Sequence, residues 1–461
     1  MKTRINKGNY SEGSITLHIL SLALPTLLAE LVNVLYSVVD RMFIGHIEGV
    51  GTLALSGVGV VFPIISFISA FPSLISTGGS PIAAIERGKG DDKKATLIME
   101  TCLSFALIIS CLLTILLFLF RLPLLSLMGA DSQIIGYASD YFSIYVFGSV
   151  FVFISVGFNS FITMQGFGGV GMLTVLIGAI LNTVLDPIFI YVLSLGVKGA
   201  AIATVISQFV SALWVVLFLK SKKSKLRLEH LSLDKSILLR VAKLGVSGFM
   251  FKMTNSLTQA ASNMTLRVFG GSLSTLYIGA MSVINSTREM VSLPISAITS
   301  SAQPVISYNY GAKKSDRVCK AIKSMTLMTL SYGILIWAFV LAFPQSLISI
   351  YTPDKDLINI TIPVMRIFFA VFFMMALQSS GQTTFVALNR PRFAVFFSLL
   401  RKAILVFPLI LILPRIGFGV NGVFLAEAIS QLLGGSICYS TMYFVFYRKM
   451  KKGIDIDATI E

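Results

Sequence analysis

Acidic side chains are scarce in this sequence. Asp and Glu number 21 in 461 residues, and all charged residues together reach only 13%. A water-soluble domain carries about 25% charged residues, so composition excludes a soluble fold. Histidine occurs three times, as His18, His46 and His230, far apart. They form no HExxH pair and no Ser-His-Asp set, and no phosphate loop is present, so nothing calls for an enzyme or a cofactor. Cysteine occurs four times, as Cys102, Cys111, Cys319 and Cys438, at no metal-ligand spacing. These read as small apolar fillers with no disulfide between them. Short alternating apolar segments are also missing, which excludes a membrane β-barrel.

What is present is apolar length. Hydrophobic residues make up 55% of the chain and form about twelve long runs. Each approaches or exceeds the roughly 20 residues that cross a bilayer as a helix. The runs fall at 15–42, 52–80, 95–120, 135–164, 168–193, 196–219, 238–268, 275–307, 319–343, 357–386, 393–415 and 418–446. They predict an all-α integral membrane protein. The first run carries internal polar residues and lacks a small-residue cleavage site, so it is expected to stay in place rather than serve as a signal peptide.

The chain also says the same thing twice. Gly196-Val197-Lys198-Gly199-Ala200-Ala201 returns as Gly419-Val420-Asn421-Gly422-Val423-Phe424, an offset of 223 (419 − 196). Gly88-Lys89 returns as Gly311-Ala312, and Thr52-Leu53 as Thr275-Leu276, at the same offset. One offset held at three places implies two equivalent six-helix halves in parallel order. In a chain this apolar, that is the pattern of a transporter with a central cleft between two lobes. The expected organisation is a first lobe at 1–220, a basic linker at 221–237 and a second lobe at 238–461.

The net charge of +16 is distributed by loop. Lys2, Arg4 and Lys7 precede the first run; Arg87, Lys89, Lys93 and Lys94 follow the second. Lys220, Lys222, Lys223, Lys225 and Arg227 fill the join between halves. Lys313, Lys314 and Arg317 follow the eighth run, Arg390 and Arg392 the tenth, and Arg448, Lys449, Lys451 and Lys452 the last. Intervening loops hold few. This alternation is the positive-inside pattern, so both termini are expected in the cytoplasm. The basic join is read as a topology signal rather than a nucleic-acid site.

Polar residues inside the runs mark the chemistry, because each is costly in lipid. Glu30, Asn33, Ser37 and Asp40 recur at spacings of three and four in the first run and form one stripe, with Tyr36 one turn before Asp40. In the fifth run Asn182 and Asp186 share a face, and Pro187 leaves the Thr183 carbonyl without its helical donor. Carboxylate, amide and carbonyl oxygens together suit a proton or a hard cation, and Thr204 on the sixth run could add a hydroxyl. Two bland readings stand beside this: Asp40 paired with Arg41, and Asp186 satisfied at a kink. By the 223 offset Asp40 matches Asn263, Asp186 matches Leu409 and Thr204 matches Glu427, so the acids are not repeated. The seventh run instead presents Lys252, Asn255, Gln259 and Ser262, and the eighth Asn285, Arg288 and Glu289. Lys252 could neutralise Glu289 or Glu427; otherwise those acids attract a cationic substrate. Met250, Met253, Met281 and Met290 lie near these faces, whereas most of the 35 Phe are expected to face lipid or pack helices.

Asp40-Arg41-Met42-Phe43-Ile44-Gly45, Leu185-Asp186-Pro187-Ile188-Phe189-Ile190, Gly199-Ala200-Ala201-Ile202-Ala203-Thr204 and Gln303-Pro304-Val305-Ile306-Ser307-Tyr308-Asn309-Tyr310-Gly311-Ala312 run in order along the chain. Together with Gly419-Val420-Asn421-Gly422 they resemble the multidrug and toxic compound extrusion (MATE) family, in particular its prokaryotic DinF-like branch. The resemblance implies twelve helices in two lobes, a prokaryotic cell membrane, and antiport of amphipathic, cationic organic compounds against H⁺ or Na⁺ by alternating access. It implies no cofactor and a chain that works as a monomer. The positions matching that branch's coupling-ion site are Asp40, Asn182, Asp186 and Thr204, with Tyr36 beside them. Substrate-cavity candidates are Asn33, Asn255, Gln259, Met253, Asn285, Met281, Glu289, Gln378 and Glu427. Pro25 and Pro187 are the candidate hinges. Another branch of the family carries acids where Asn255 and Gln378 stand, so a cation site of that type is not expected in the second lobe. Glu427 is similar to an acid near the last helix of some Gram-positive exporters. The rival reading is a lipid or lipid-linked oligosaccharide flippase of the same superfamily, with Lys252 and Arg288 holding pyrophosphate.

Overall fold

A computed structural model describes residues 9–130, 132–351, 353–454 and 456; Lys2, Arg4 and Lys7 lie outside them. All regular structure among the described residues is helical. Helices stand at the twelve expected places. They are α1 (Ile15–Gly45), α2 (Leu53–Gly88), α3 (Asp92–Leu119), α4 (Ile135–Met164), α5 (Gly168–Val192) and α6 (Gly196–Lys220). The second half repeats them as α7 (Lys235–Phe269), α8 (Ser274–Gly311), α9 (Ser315–Ala342), α10 (Lys355–Phe369 with Met374–Ala387), α11 (Pro391–Ile412) and α12 (Asn421–Lys451). Among the described residues nine of these are long and apolar enough to cross a membrane, and α10, bent by 47°, makes a tenth. Helices α7 and α8, at 35 and 38 residues, are long enough but less apolar. The polar faces read from the sequence are the reason, and they become important below.

The repeat is visible in the backbone. Short helices Arg121–Leu127 and Pro344–Ser349 follow α3 and α9 at the same offset of 223 (344 − 121). Left-handed residues also recur at this offset: Gly90 (φ 86°) with Lys313 (54°), Gly166 (93°) with Asn389 (54°), and Ser194 (53°) with Gly417 (109°). A residue with a Cβ loses about 1–2 kcal/mol in this conformation. Each pair places glycine in one half and a strained residue in the other, so the turn geometry is repeated even where the residue best suited to it is not.

Contacts divide the chain into two compact units. One contains Leu24–Phe249; the other contains Tyr10–Ala23 and everything from Met250 onward. Helices α1 and α7 therefore each pass from one unit to the other. In the first unit α2 and α7 approach backbone to backbone, with Gly78 against the Val241 carbonyl and Gly245 against Leu74. Only glycine permits this. The linker is folded onto the same unit. Glu100 accepts hydrogen bonds from the Glu229 and His230 amides (3.3 and 2.9 Å) and the Ser232 hydroxyl (2.9 Å). Gln165 Oε1 accepts from the Lys225 and Leu226 amides at 2.7 and 2.8 Å. In the second unit Arg317 holds the amino-terminal segment by donating to the carbonyls of Tyr10, Glu12 and Gly13. Its core centres on Phe369, Phe372 and Phe424, all fully buried. These rings pack helices, as expected for most of the phenylalanines.

Candidate functional site

The group around the acid pair of the first unit is built from three helices. Asp40 and Tyr36 come from α1, Asn182 and Asp186 from α5, and Thr204 from α6. Asp40 is 7% exposed and Asp186 fully buried, although each lies on a predominantly apolar helix. Spacing does the local work: Asn182 sits one turn before Asp186, and its Nδ2 donates to Asp186 Oδ1 at 3.3 Å. The same amide donates to Thr204 Oγ1, also at 3.3 Å. The Thr204 hydroxyl turns back to the Ala200 carbonyl at 3.0 Å, which fixes its lone pairs. After Pro187 the helix widens into a π-helical turn, Ile188–Val192, as expected where a proline removes a donor.

The carboxyl groups of Asp40 and Asp186 adjoin each other. Asp40 Oδ1, Asp186 Oδ2 and Asn182 Oδ1 are buried and accept no hydrogen bond among the described residues. Arg41 forms no ion pair with Asp40 among the described residues; its guanidinium lies over the Phe62 ring, 4.2 Å from the centroid. Two adjoining buried carboxyls with acceptors to spare fit a shared proton or a hard cation, since either offsets a repulsion that water cannot screen there. Sequence reading missed two members of this group. Tyr141 and Tyr145 on α4 stack at 6.0 Å, both are buried, and both lie within the electrostatic reach of Asp40; Tyr141 also meets Thr204. Their spacing of four on one helix face was the available signal.

The second unit holds a pocket. Its wall includes Asn255, Gln259, Met281, Asn285 and Glu427 together with Thr258, Ser262, Arg288 and Lys402. Five of the nine cavity candidates therefore meet in one place. Of the others, Glu289 is exposed one residue beyond Arg288, and Met253 is half-buried off the wall. Gln378 is buried against α11, where its amide donates to the Phe397 carbonyl at 3.5 Å. Asn33 belongs to the other unit, is exposed, and its carbonyl accepts from Ser37.

Glu427 is not paired as expected. Lys252 is not among its partners. Arg401 Nη1 donates to Glu427 Oε1 at 2.9 Å, Lys402 Nζ donates to both carboxylate oxygens at 3.1 and 3.0 Å, and Arg288 Nη1 stands 3.8 Å away. Consecutive residues of an α-helix diverge by about 100°, yet Arg401 and Lys402 reach one carboxylate. The backbone there is a π-helical turn, Leu400–Val406, which brings them round. Two adjacent cations inside an apolar run were the sequence signal for this cluster.

Compared with known proteins, the chain matches a family model described as MatE over residues 25–188 and 253–412, once in each half. The chain belongs to that family. It is a multi-pass membrane transporter and not an enzyme. Among curated relatives, the multidrug export protein MepA of Staphylococcus haemolyticus is 21% identical over 455 residues, covering 98% of both chains. The probable multidrug resistance protein YoeA of Bacillus subtilis is 22% identical over 345 residues, or 73% of each. A solved MATE structure in a bent conformation aligns with a TM-score of 0.90 at 20% identity, covering 97% of this MatE chain and 99% of that one.

Proposed function

We propose that this MatE transporter exports amphipathic organic compounds, cationic ones included, across a prokaryotic cell membrane in exchange for H⁺ or Na⁺. Both termini lie in the cytoplasm and a single chain forms the whole pathway. The observation that carries the reading is the adjoining pair Asp40 and Asp186, whose buried oxygens have acceptor capacity left over. Asp40 and Asp186 load the coupling ion, Asn182 and Thr204 orient or ligate it, and Tyr36 fixes Asp40. Exchange follows if the ion and the compound favour opposite-facing states, since a ligand shifts an equilibrium only by its differential affinity. Pro25 and Pro187 supply the bends; Pro25 follows directly on the point where α1 passes between units.

The test is dye efflux from proteoliposomes under an imposed pH gradient or an imposed Na⁺ gradient, with rhodamine 6G as probe. One gradient should drive efflux in the wild type, and Asp40→Asn or Asp186→Asn should lose it. Efflux that persists in both variants would overturn the assignment of the coupling site. The cations around Glu427 favour a second reading, a flippase for a lipid carrying phosphate; it predicts headgroup movement across the bilayer without dye efflux.

A further inference from the structure

The two units place opposite charge at equivalent positions. By the 223 offset Glu427 corresponds to Thr204 and Gln259 to Tyr36. The group around Thr204 has two carboxyls and no paired cation. The group around Glu427 has Arg288, Arg401 and Lys402 against one carboxylate. Both oxygens of that carboxylate are already occupied by Arg401 and Lys402, so little of Glu427 remains for a cationic ligand.

Arg288 is the exception in the cluster. At 3.8 Å its guanidinium is beyond hydrogen-bond distance of Glu427, and it makes no hydrogen bond among the described residues, although its side chain is only 17% exposed. The side-chain amides of Asn255, Gln259 and Asn285, on the same pocket wall, make none either. A guanidinium held only by a long ion pair, 3.8 Å from Glu427, and three amides without a hydrogen bond thus line one pocket, in a group with more positive than negative charge. Excess charge held away from water is costly unless something offsets it. The fork of a guanidinium fits two oxygens of one group, and the amides add further donors.

We infer that this pocket binds the oxyanion of an organic ligand, a carboxylate or phosphate, on Arg288 with the amides of Asn255, Gln259 and Asn285. The inference rests on the export reading and widens it: substrates bearing an acidic group, including zwitterions, are held in the second lobe.

The test uses the full chain in nanodiscs and two matched dyes. Rhodamine 6G is an ethyl ester without a free carboxylate; its hydrolysed free acid differs only in having one. Fluorescence anisotropy should show the free acid binding about tenfold more tightly, as a charge-assisted hydrogen-bond pair would give. Arg288→Gln should abolish that preference, and Arg288→Lys should keep part of it, separating lost charge from misfolding. A preference seen in phosphatidylcholine discs but suppressed in phosphatidylglycerol discs supports the site with a lipid phosphate as its competing occupant. A preference equal in both supports a soluble acid. Equal binding of the two dyes, or a preference that survives Arg288→Gln, overturns the inference. Arg288-dependent binding of the acid with no gradient-driven efflux of either dye would instead sink the export reading and leave the site standing.

Discussion

Replacing Glu427 by Gln tests whether this carboxylate holds the second unit together. The side chain is 5% exposed, and its two closest partners, Arg401 and Lys402, are 7% and 2% exposed. Glutamine keeps the shape and one acceptor but removes the charge, leaving buried cations without their counter-ion. Breaking a buried pair from one side costs about 3–5 kcal/mol. The retained acceptor and the pocket beside Arg288 favour the lower figure, about 3 kcal/mol. At about 1.4 kcal/mol per decade, local opening should become roughly a hundredfold more frequent. Buried thiols report it. Cys438 lies on α12 with Glu427, and Cys102 lies in the other unit; both are buried. Labelling of Cys438 in the purified variant should accelerate about a hundredfold, with Cys102 much less affected. Adding Arg401→Met and Lys402→Met should restore slow labelling, because it removes the two buried cations that Glu427→Gln leaves without a counter-ion. Cys438 labelling within a few-fold of wild type would refute the argument, and so would an equal acceleration at Cys102.

Two further outcomes follow from the loops. Asp234 accepts hydrogen bonds from the Ile237 and Ser236 amides at the start of α7, and these hold its carboxyl below the usual aspartate range. A lowered value means the contribution is present above the ordinary aspartate pKa and is lost as pH falls through the lowered one. Hydrogen exchange at the Ser236 and Ile237 amides should therefore be more protected at neutral than at acid pH beyond the intrinsic rate change, and Asp234→Ala should remove the difference. At the repeated left-handed turn, Gly90→Ala should cost about 1–2 kcal/mol of stability in detergent. Lys313→Gly should gain about 0.5–1 kcal/mol once the unfolded-state entropy of glycine is counted. Opposite signs at the two positions, read as shifts in the denaturation midpoint, are the check; equal signs would deny that the turns are equivalent.

The helices and their duplication were legible because lipid leaves a chain few options. Backbone groups must be satisfied within each segment, so apolar length alone marks α1 to α6 and most of their counterparts. The 223-residue offset then carries through to the short helices and the left-handed turns. Asp40, Asn182, Asp186 and Thr204 could be read for the same reason: a polar side chain inside such a segment stands out. Helices α7 and α8 were read as apolar runs like the rest, but their polar faces leave them less apolar than the other ten.

Partnership was another matter. Glu427 and Lys402 lie 25 residues apart on different helices, and nothing in their spacing says that they meet, or that Lys252 does not take that place. Tyr141 and Tyr145 come near this group only through the packing of α4 against α2 and α6. Sequence by itself determined where polar groups must be buried, since that depends on the residue and the solvent. Which charge faces which was decided by tertiary structure alone, because Coulomb and hydrogen-bond energies depend on distance and direction in space, and those are set by how the helices pack.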